Sequence, residues 1–271
     1  MTKKDPVAEM QARLQGRASE SKRDWWVRYL RGTASFRGVS MADVRAELHD
    51  WYRVHGLAEG SRQKQADLAL ELIRQDHTED KLAGMLFLRE VLIPTDDPGH
   101  ADLLPGFAGL FEEGHLADWN SVDWFCVKVL GPLVERDGEP CARAIGEWRT
   151  SDSLWQRRAS AVAFVNVVRQ GDLFPGFLRL VLESCEELVR SSERFSQTGA
   201  GWVLREISHV DPALVESFVR KHVADLSSEA LASSTKKLTP EVRAEFLRLH
   251  RTRSRTVGDG ADIPTEATHS A

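Results

Sequence analysis

The chain has 271 residues, of which 42% are apolar and 28% charged, a composition typical of a soluble globular protein. No stretch approaches the roughly 18 uncharged apolar residues of a membrane span, and the polar N-terminus does not resemble a signal peptide. The formal net charge of -5 does not favour a nucleic-acid binder, although a basic groove can lie within an acidic surface. Three cysteines without paired spacing argue against a disulfide framework and predict a reducing, cytoplasmic environment.

Amphipathic segments with helical periodicity follow one another along the chain, and alternating strand patterns are nearly absent. A weak helix is predicted over residues 7–14, and Ser40 is predicted to be the N-cap of the next helix. Within a clear helical pattern over 122–134, Pro132 is expected to bend or end the helix near Leu130 unless neighbouring helices compensate. The other predicted helices cover 78–92, 153–168, 174–189, 199–208, 212–226 and 240–249.

Many helices joined by short connections predict an all-α fold. We expect stacked helix pairs that form a HEAT-like solenoid with a concave face. The repeat period is not fixed by the sequence, so an irregular helical bundle is the alternative. One domain is predicted over residues 1–250. Residues 251–271 lose apolar periodicity, which predicts a disordered C-terminal tail.

Several common catalytic signatures are missing from the sequence. It contains no glycine-rich phosphate loop, no HExxH pair and no GxSxG nucleophile motif. The nine histidines are scattered, without the two ligands on one helix face that metal sites usually contain. We therefore predict neither a metal nor another cofactor.

Trp119 lies just before the helix predicted over 122–134, and Asp123 lies in its first turn. Residues four apart share a helix face, so both side chains are expected at the edge of the apolar stripe. One interpretation is a packing tryptophan beside a carboxylate that suits the positive end of the helix dipole. The other is an aromatic and an acid that face a ligand together.

Two further segments have both structural and functional interpretations. Arg157 and Arg158 lie in the first turns of a predicted helix, where only one of two adjacent side chains can face a given groove. Gly199 and Gly201 precede Trp202. Glycine costs about 1 kcal/mol within a helix, so this pair indicates either close helix approach or an accessible aromatic face.

Together these segments resemble the AlkD-like family of DNA glycosylases, with matching order and spacing across residues 25 to 240. The matching motifs are Trp119-x-x-Val122-Asp123, Trp155-x-x-Arg158, Gly201-Trp202-Val203-Leu204-Arg205-Glu206, and more weakly Arg28-Tyr29-Leu30 with Phe36-x-Gly38-Val39. The chain departs from the family pattern at Thr198 and Gly199, at Ser35-Phe36-Arg37, and in the Trp25-Trp26 pair.

The resemblance implies an enzyme built from HEAT-like helical pairs around duplex DNA. It implies excision of cationic N3- and N7-alkylated purines without base flipping, and a monomer as the active form. Asp123 matches the catalytic carboxylate, and Trp119 and Trp202 match the aromatics that flank the sugar of the lesion. Arg158 matches a contact to the DNA backbone and Tyr29 an aromatic of the same cleft.

These residue types suit that chemistry, because an alkylated purine departs as a neutral base and leaves positive charge on the sugar. A fixed carboxylate and tryptophan faces both stabilise such a cation. Bulky N3 adducts are also candidate substrates, since no pocket would have to enclose them. Phosphate contacts are expected from basic side chains, and the candidates are Lys128, Arg157, Arg158, Arg205, Lys236 and Lys237.

Two other classes of function compete with the enzyme. A non-catalytic helical-repeat binder of damaged DNA would need a basic face but not Asp123. A protein-interaction scaffold agrees with the acidic net charge, but it leaves the Trp119, Asp123, Arg158 and Trp202 set unexplained.

Overall fold

The computed structural model describes residues 5–95 and 99–259, with side chains to residue 252. Regular structure in these ranges is helical, apart from one isolated bridge between Ser35 and His77. The predicted all-α class is therefore confirmed, and the helix succession is consistent with a helical-repeat solenoid. No helix of the described ranges has the length and apolar character that crossing a membrane requires.

The α-helices follow one another with short connections. They are α1 Pro6–Gln15, α2 Glu20–Tyr29, α3 Met41–Val54, α4 Arg62–Ile73, α5 Thr78–Phe87, α6 Leu104–Glu112, α7 Trp119–Phe125, α8 Gly131–Asp137, α9 Glu139–Gly146, α10 Leu154–Val162, α11 Phe177–Arg190, α12 Arg194–Ile207, α13 Pro212–His222, α14 Ser228–Ser234 and α15 Pro240–Asp259.

Short polar side chains start many of these helices by accepting a backbone N–H of the first turn. Ser40 accepts the N–H of Asp43, which confirms the predicted N-cap of α3. The predicted N-terminal helix is present as α1, and it docks on the body through its buried Val7, Met10 and Leu14. Helix starts are thus encoded locally, while packing selects the buried face of each helix.

The segment 122–134 is helical throughout, with a change of helix type in its middle. A π-helical turn over Cys126–Leu130 separates α7 from α8, and the N–H of Gly131 donates to the carbonyl of Cys126. Pro132 has no N–H, so the lengthened turn ends where the donor is missing. The apolar side chains predicted to face the core are all fully buried: Val122, Phe125, Cys126, Val129, Leu130, Leu133 and Val134.

Glycines permit two close helix contacts. A Cβ at Gly84 of α5 would lie 2.4 Å from the carbonyl oxygen of Ala69 in α4. A Cβ at Gly201 of α12 would lie 2.8 Å from the carbonyl oxygen of Ala230 in α14. Close approach is therefore the reason for glycine at position 201, as one of the two interpretations of the sequence predicted.

Helix α15 extends to Asp259, into the range for which composition predicts a disordered tail. The helix therefore includes residues 251–259, and the division into one domain and a disordered tail stays a prediction. The charged sequence after Leu249 continues the helix without an apolar stripe, which is why periodicity did not indicate it. The remainder of the predicted tail, residues 260–271, lies outside the described residues.

Candidate active site

An open cleft of about 500 Å³ lies between the N-terminal helices and the central ones. Its lining combines aromatic side chains with charged ones. The lining residues are Tyr29, Leu30, Arg31, Thr33, Ala117, Asp118, Trp119, Trp155, Arg158, Arg194, Phe195, Thr198 and Glu229. Three of the predicted site residues, Tyr29, Trp119 and Arg158, therefore meet in one cleft.

The start of α7 sets the position of Trp119 and Asp123. Asp118 is the N-cap, and its carboxylate accepts the N–H groups of Asn120 and Ser121, each at 2.9 Å. With the first turn fixed in this way, Trp119 and Asp123 lie one turn apart on the same face. Trp119 lines the cleft, and Asp123 contacts Arg158 of its lining.

Asp123 and Arg158 form a two-point ion pair. Arg158 Nε donates to Asp123 Oδ1 at 2.7 Å, and Arg158 Nη2 donates to Asp123 Oδ2 at 2.9 Å. The side chain of Arg158 is 5% exposed and that of Asp123 is 18% exposed. Paired N–H···O bonds of this kind fix orientation as well as distance, so both carboxylate oxygens are held in place.

The rest of the Arg158 guanidinium is bound to α12. Its Nη1 donates to the carbonyl of Phe195 at 2.6 Å and to Thr198 Oγ1 at 3.3 Å. A Cβ at Gly199 would lie 3.0 Å from the same Nη1, so glycine there leaves room for the guanidinium. Thr198 and Gly199, both departures from the family pattern, thus accommodate Arg158.

The contact of Arg158 with the DNA backbone stays a prediction, and most of its guanidinium is already bound within the protein. Four of its five N–H hydrogens bond to Asp123, Phe195 and Thr198, leaving one Nη2 hydrogen without an acceptor among the described residues. Arg158 therefore positions the carboxylate, and a single N–H is left for a phosphate.

Aromatic rings line two sides of the cleft. Tyr29 meets Trp119 edge-to-face, with ring centroids 6.1 Å apart. Trp155 contacts Phe195, with ring centroids 5.0 Å apart. Sequence reasoning used Trp155 only as part of a motif and missed Phe195. The spacing of three between Trp155 and Arg158 was a usable signal, because it places both on one face of α10.

Trp202 lies on α12 but is not among the lining residues of this cleft. It is half-buried and packs against the hydrophobic core. It follows Thr198 by one helical turn, so the two share a face of α12. The structure thus places Trp202 beside the cleft rather than in its wall.

The other basic candidates lie outside the cleft lining. Arg157 donates to the carbonyls of Ser151 and Asp152 and pairs with Glu193, which ties it to its own surroundings. Of the other residues predicted to contact phosphate, Arg205 pairs with Glu206. The three lysines are exposed: Lys128, Lys236 and Lys237.

Sequence reasoning did not select two arginines at the rim of the cleft, Arg31 and Arg194. Arg194 forms a two-point pair with Glu229, with both N–H···O distances at 2.9 Å. Arg31 is exposed and adopts a positive φ of 53°. That conformation follows from its place in the turn after α2, which no local sequence signal indicated.

Two ionisable side chains near α7 are buried or half-buried, Cys126 and Lys81. Burial, and next the negative charge of Asp123, raise the pKa of the Cys126 thiol well above its usual value. Burial lowers the pKa of Lys81, against the opposing effect of Asp118 and two other carboxylates. In the described ranges no group of three or more His, Cys, Asp and Glu side chains is arranged to hold a metal ion.

Comparison with known proteins identifies the class to which this fold and cleft belong. A family model described as DNA alkylation repair enzyme matches residues 10–238, so the chain belongs to that family. The AlkD-like resemblance inferred from the motifs is therefore confirmed.

One solved structure supports the fold independently. It is described as a predicted DNA alkylation repair enzyme from Enterococcus faecalis, and it aligns with a TM-score of 0.69 at 16% sequence identity. The alignment covers 83% of this chain and 98% of that one. At this identity the likeness shows the fold alone. No curated protein sequence matches the chain.

Proposed function

We propose that this protein is a DNA glycosylase that releases N3- and N7-alkylated purines from duplex DNA without base flipping. Family membership gives DNA alkylation repair as the process. The observation that carries the proposal is the carboxylate of Asp123, held at two points by Arg158, which lines the aromatic cleft. We assign the protein to base excision repair in the cytoplasm, acting as a monomer.

The reaction breaks the bond between a cationic base and C1′ of its sugar. The bonding electrons leave with the base, which becomes neutral, and positive charge develops on the sugar. Asp123 is the more exposed member of its ion pair, so its carboxylate is the charge of that pair that solvent and a bound cation can approach more readily. Water then adds to the sugar carbon and loses a proton, and Asp123 is the group that orients it.

A simple electrostatic argument gives the size of the effect. Two opposite unit charges about 4 Å apart attract by roughly 4 kcal/mol at an effective dielectric constant of about 20. Arg158 offsets part of this attraction, so we expect about 3 kcal/mol, which is on the order of 100-fold in rate. Trp119 and Tyr29 add cation–π stabilisation of about 0.5–2 kcal/mol each.

Two further features agree with the proposal. The substrate already carries its positive charge, so departure of the base requires neither a strong acid nor a metal ion. The cleft is open rather than enclosed, which suits attack from the sugar side with the base still stacked and would admit bulky N3-adenine adducts. We also propose that DNA bound in the cleft contacts Trp202, which lies one turn after Thr198 on α12.

The test is base release from methylated duplex DNA, followed by chromatography under single-turnover conditions. Wild type is expected to release 3-methyladenine or 7-methylguanine, and Asp123→Asn to be about 100-fold slower. Asp67→Asn is the matched control, because Asp67 is exposed and bonds only to Gln63 of its own helix.

Two outcomes would refute the proposal. Salt-sensitive DNA binding without release of any alkylated base would leave a non-catalytic binder of damaged DNA. If the protein neither binds DNA nor releases a base, the protein-interaction scaffold would remain.

A further inference from the structure

Helix α2 differs from the other helices that line the cleft. None of its residues is buried, although it carries Trp25, Trp26 and Tyr29. Trp25 is 52% exposed and Tyr29 is 54% exposed, and they are the exposed aromatic side chains of the described residues. Exposing two large rings side by side is costly without a ligand, because each ring keeps apolar surface in water.

The rings on α2 are ordered relative to one another. Trp25 and Tyr29 are stacked, with centroids 5.1 Å apart and planes 8° from parallel. Trp26 stands at 86° to Trp25 and stacks instead on Phe36 of the following loop, at 5.5 Å. Trp26 therefore anchors the helix, while one face of Trp25 remains uncovered.

This stack leads from the surface into the cleft. Its inner member, Tyr29, lines the cleft and contacts Trp119, which lies one turn from Asp123. Beside Trp25 is a hollow of about 180 Å³ lined by Ser21, Lys22, Trp25 and Trp26. A planar ring placed on Trp25 would extend the existing stack and would lie next to the ammonium group of Lys22.

The charge around the stack favours an anionic ligand. Between Glu20 and Arg31 there are four basic side chains and two acidic ones, whereas the whole chain carries a net charge of -5. The basic residues are Lys22, Arg23, Arg28 and Arg31. Exposed aromatic rings among basic side chains are the combination that binds unpaired nucleotides, through stacking and phosphate contacts together.

We propose that Trp25 is a stacking platform for an unpaired nucleobase, other than the alkylated base, of the DNA that occupies the cleft. Paired bases in a duplex have both faces covered by neighbours, so only a displaced base can offer a face to Trp25. Lys22 then contacts the phosphate next to that base. The inference rests on the proposed function only in taking DNA as the ligand.

The experiment compares two duplexes that differ by one base. Each carries a single-nucleotide bulge in an otherwise identical sequence, one with thymine and one with an abasic analogue, so backbone distortion and charge are matched. Equilibrium binding is measured by fluorescence anisotropy for wild type, Trp25→Ala and Trp25→Phe. Val54→Ala is the control, since Val54 is exposed but lies away from the cleft lining.

Wild type is expected to bind the thymine bulge about tenfold more tightly than the abasic bulge, within the range known for base stacking on aromatic side chains. Trp25→Ala is expected to bind both duplexes equally, with Trp25→Phe retaining much of the preference. Far-UV circular dichroism of Trp25→Ala should show native helix content, because Trp25 is exposed and does not belong to the hydrophobic core.

The inference is wrong if wild type shows no preference, or if Trp25→Ala keeps it. The base-release assay on the same preparations separates this failure from failure of the proposed function. Release of alkylated bases without a bulge preference would refute the stacking role of Trp25 and leave the proposed glycosylase activity standing. A Trp25-dependent bulge preference without base release would refute the proposed glycosylase activity and leave the stacking role of Trp25 standing.

Discussion

Replacing Arg158 with Met tests the ion pair that organises the cleft. Loss of one partner from a buried pair costs about 3–5 kcal/mol, because the remaining charge is left without compensation. The Asp123 side chain keeps 18% exposure, so water solvates it in part and we expect the lower end, about 3 kcal/mol. Melting should then occur about 6–12 °C lower.

The design includes a cycle and a matched control. Asp123→Asn alone should cost about 2 kcal/mol, and the double variant less than the sum of the two, since neither charge is then left unpaired. Arg179→Met is the control: its side chain is 87% exposed and pairs with Glu183 on the same helix. That change should stay within about 0.5 kcal/mol. Urea unfolding followed by far-UV circular dichroism measures all four variants.

A cost below about 0.5 kcal/mol for Arg158→Met would refute the reasoning, because it would show a solvated arginine. Strict additivity in the double variant would also contradict the pair, since contacting residues couple.

Three further predictions concern a close helix contact, a buried hydrogen-bond acceptor and a buried thiol. Gly201→Ala should destabilise by about 1–3 kcal/mol in urea unfolding, because its Cβ would lie 2.8 Å from the carbonyl oxygen of Ala230. Glu79→Gln should cost about 2 kcal/mol in the same assay, because the buried carboxylate accepts the N–H groups of residues 37, 38 and 39. Burial raises the pKa of Cys126, so iodoacetamide should leave this thiol unmodified in the folded protein at pH 8 and alkylate it in urea.

Each of these has a control or a contradicting result. Gly109→Ala should be neutral or stabilising by up to about 1 kcal/mol, since its Cβ would approach only the movable end of Glu113 at 3.4 Å. Equal effects at positions 201 and 109 would contradict the close contact. Unchanged stability in Glu79→Gln would mean that the three amides find other acceptors. Alkylation of native Cys126, mapped by peptide mass spectrometry, would show that its burial is not maintained.

Helical periodicity was enough to predict the fold class. The apolar positions of 122–134 are all buried, and Ser40 caps α3 as its sequence indicates. Helix type inside that segment was not predictable, because the π-helical turn depends on neighbouring helices as well as on Pro132. Helices α2 and α4 were not predicted individually: α2 buries none of its residues, and two of the five buried residues of α4 are alanines, which give a weak apolar signal.

The residues around the cleft were predictable only in part, and their contacts were not. The motif resemblance selected Tyr29, Trp119 and Arg158, which share the cleft, and Asp123, which contacts it. Pairing between Asp123 and Arg158 joins residues 35 apart, so it depends on how α7 and α10 pack. For the same reason no spacing rule could tell that Trp202 lies beside the cleft.

Because α2 buries none of its residues and is anchored by the stack of Trp26 on Phe36, less free energy opposes its detachment than that of the core helices. Trp25 and Trp26 are two of the eight tryptophans, so they contribute a sizeable share of the intrinsic fluorescence. Unfolding followed by fluorescence should therefore begin at a lower denaturant concentration than unfolding followed by helix content, and the two curves should not coincide. The separation between them measures how independently this wall of the cleft opens.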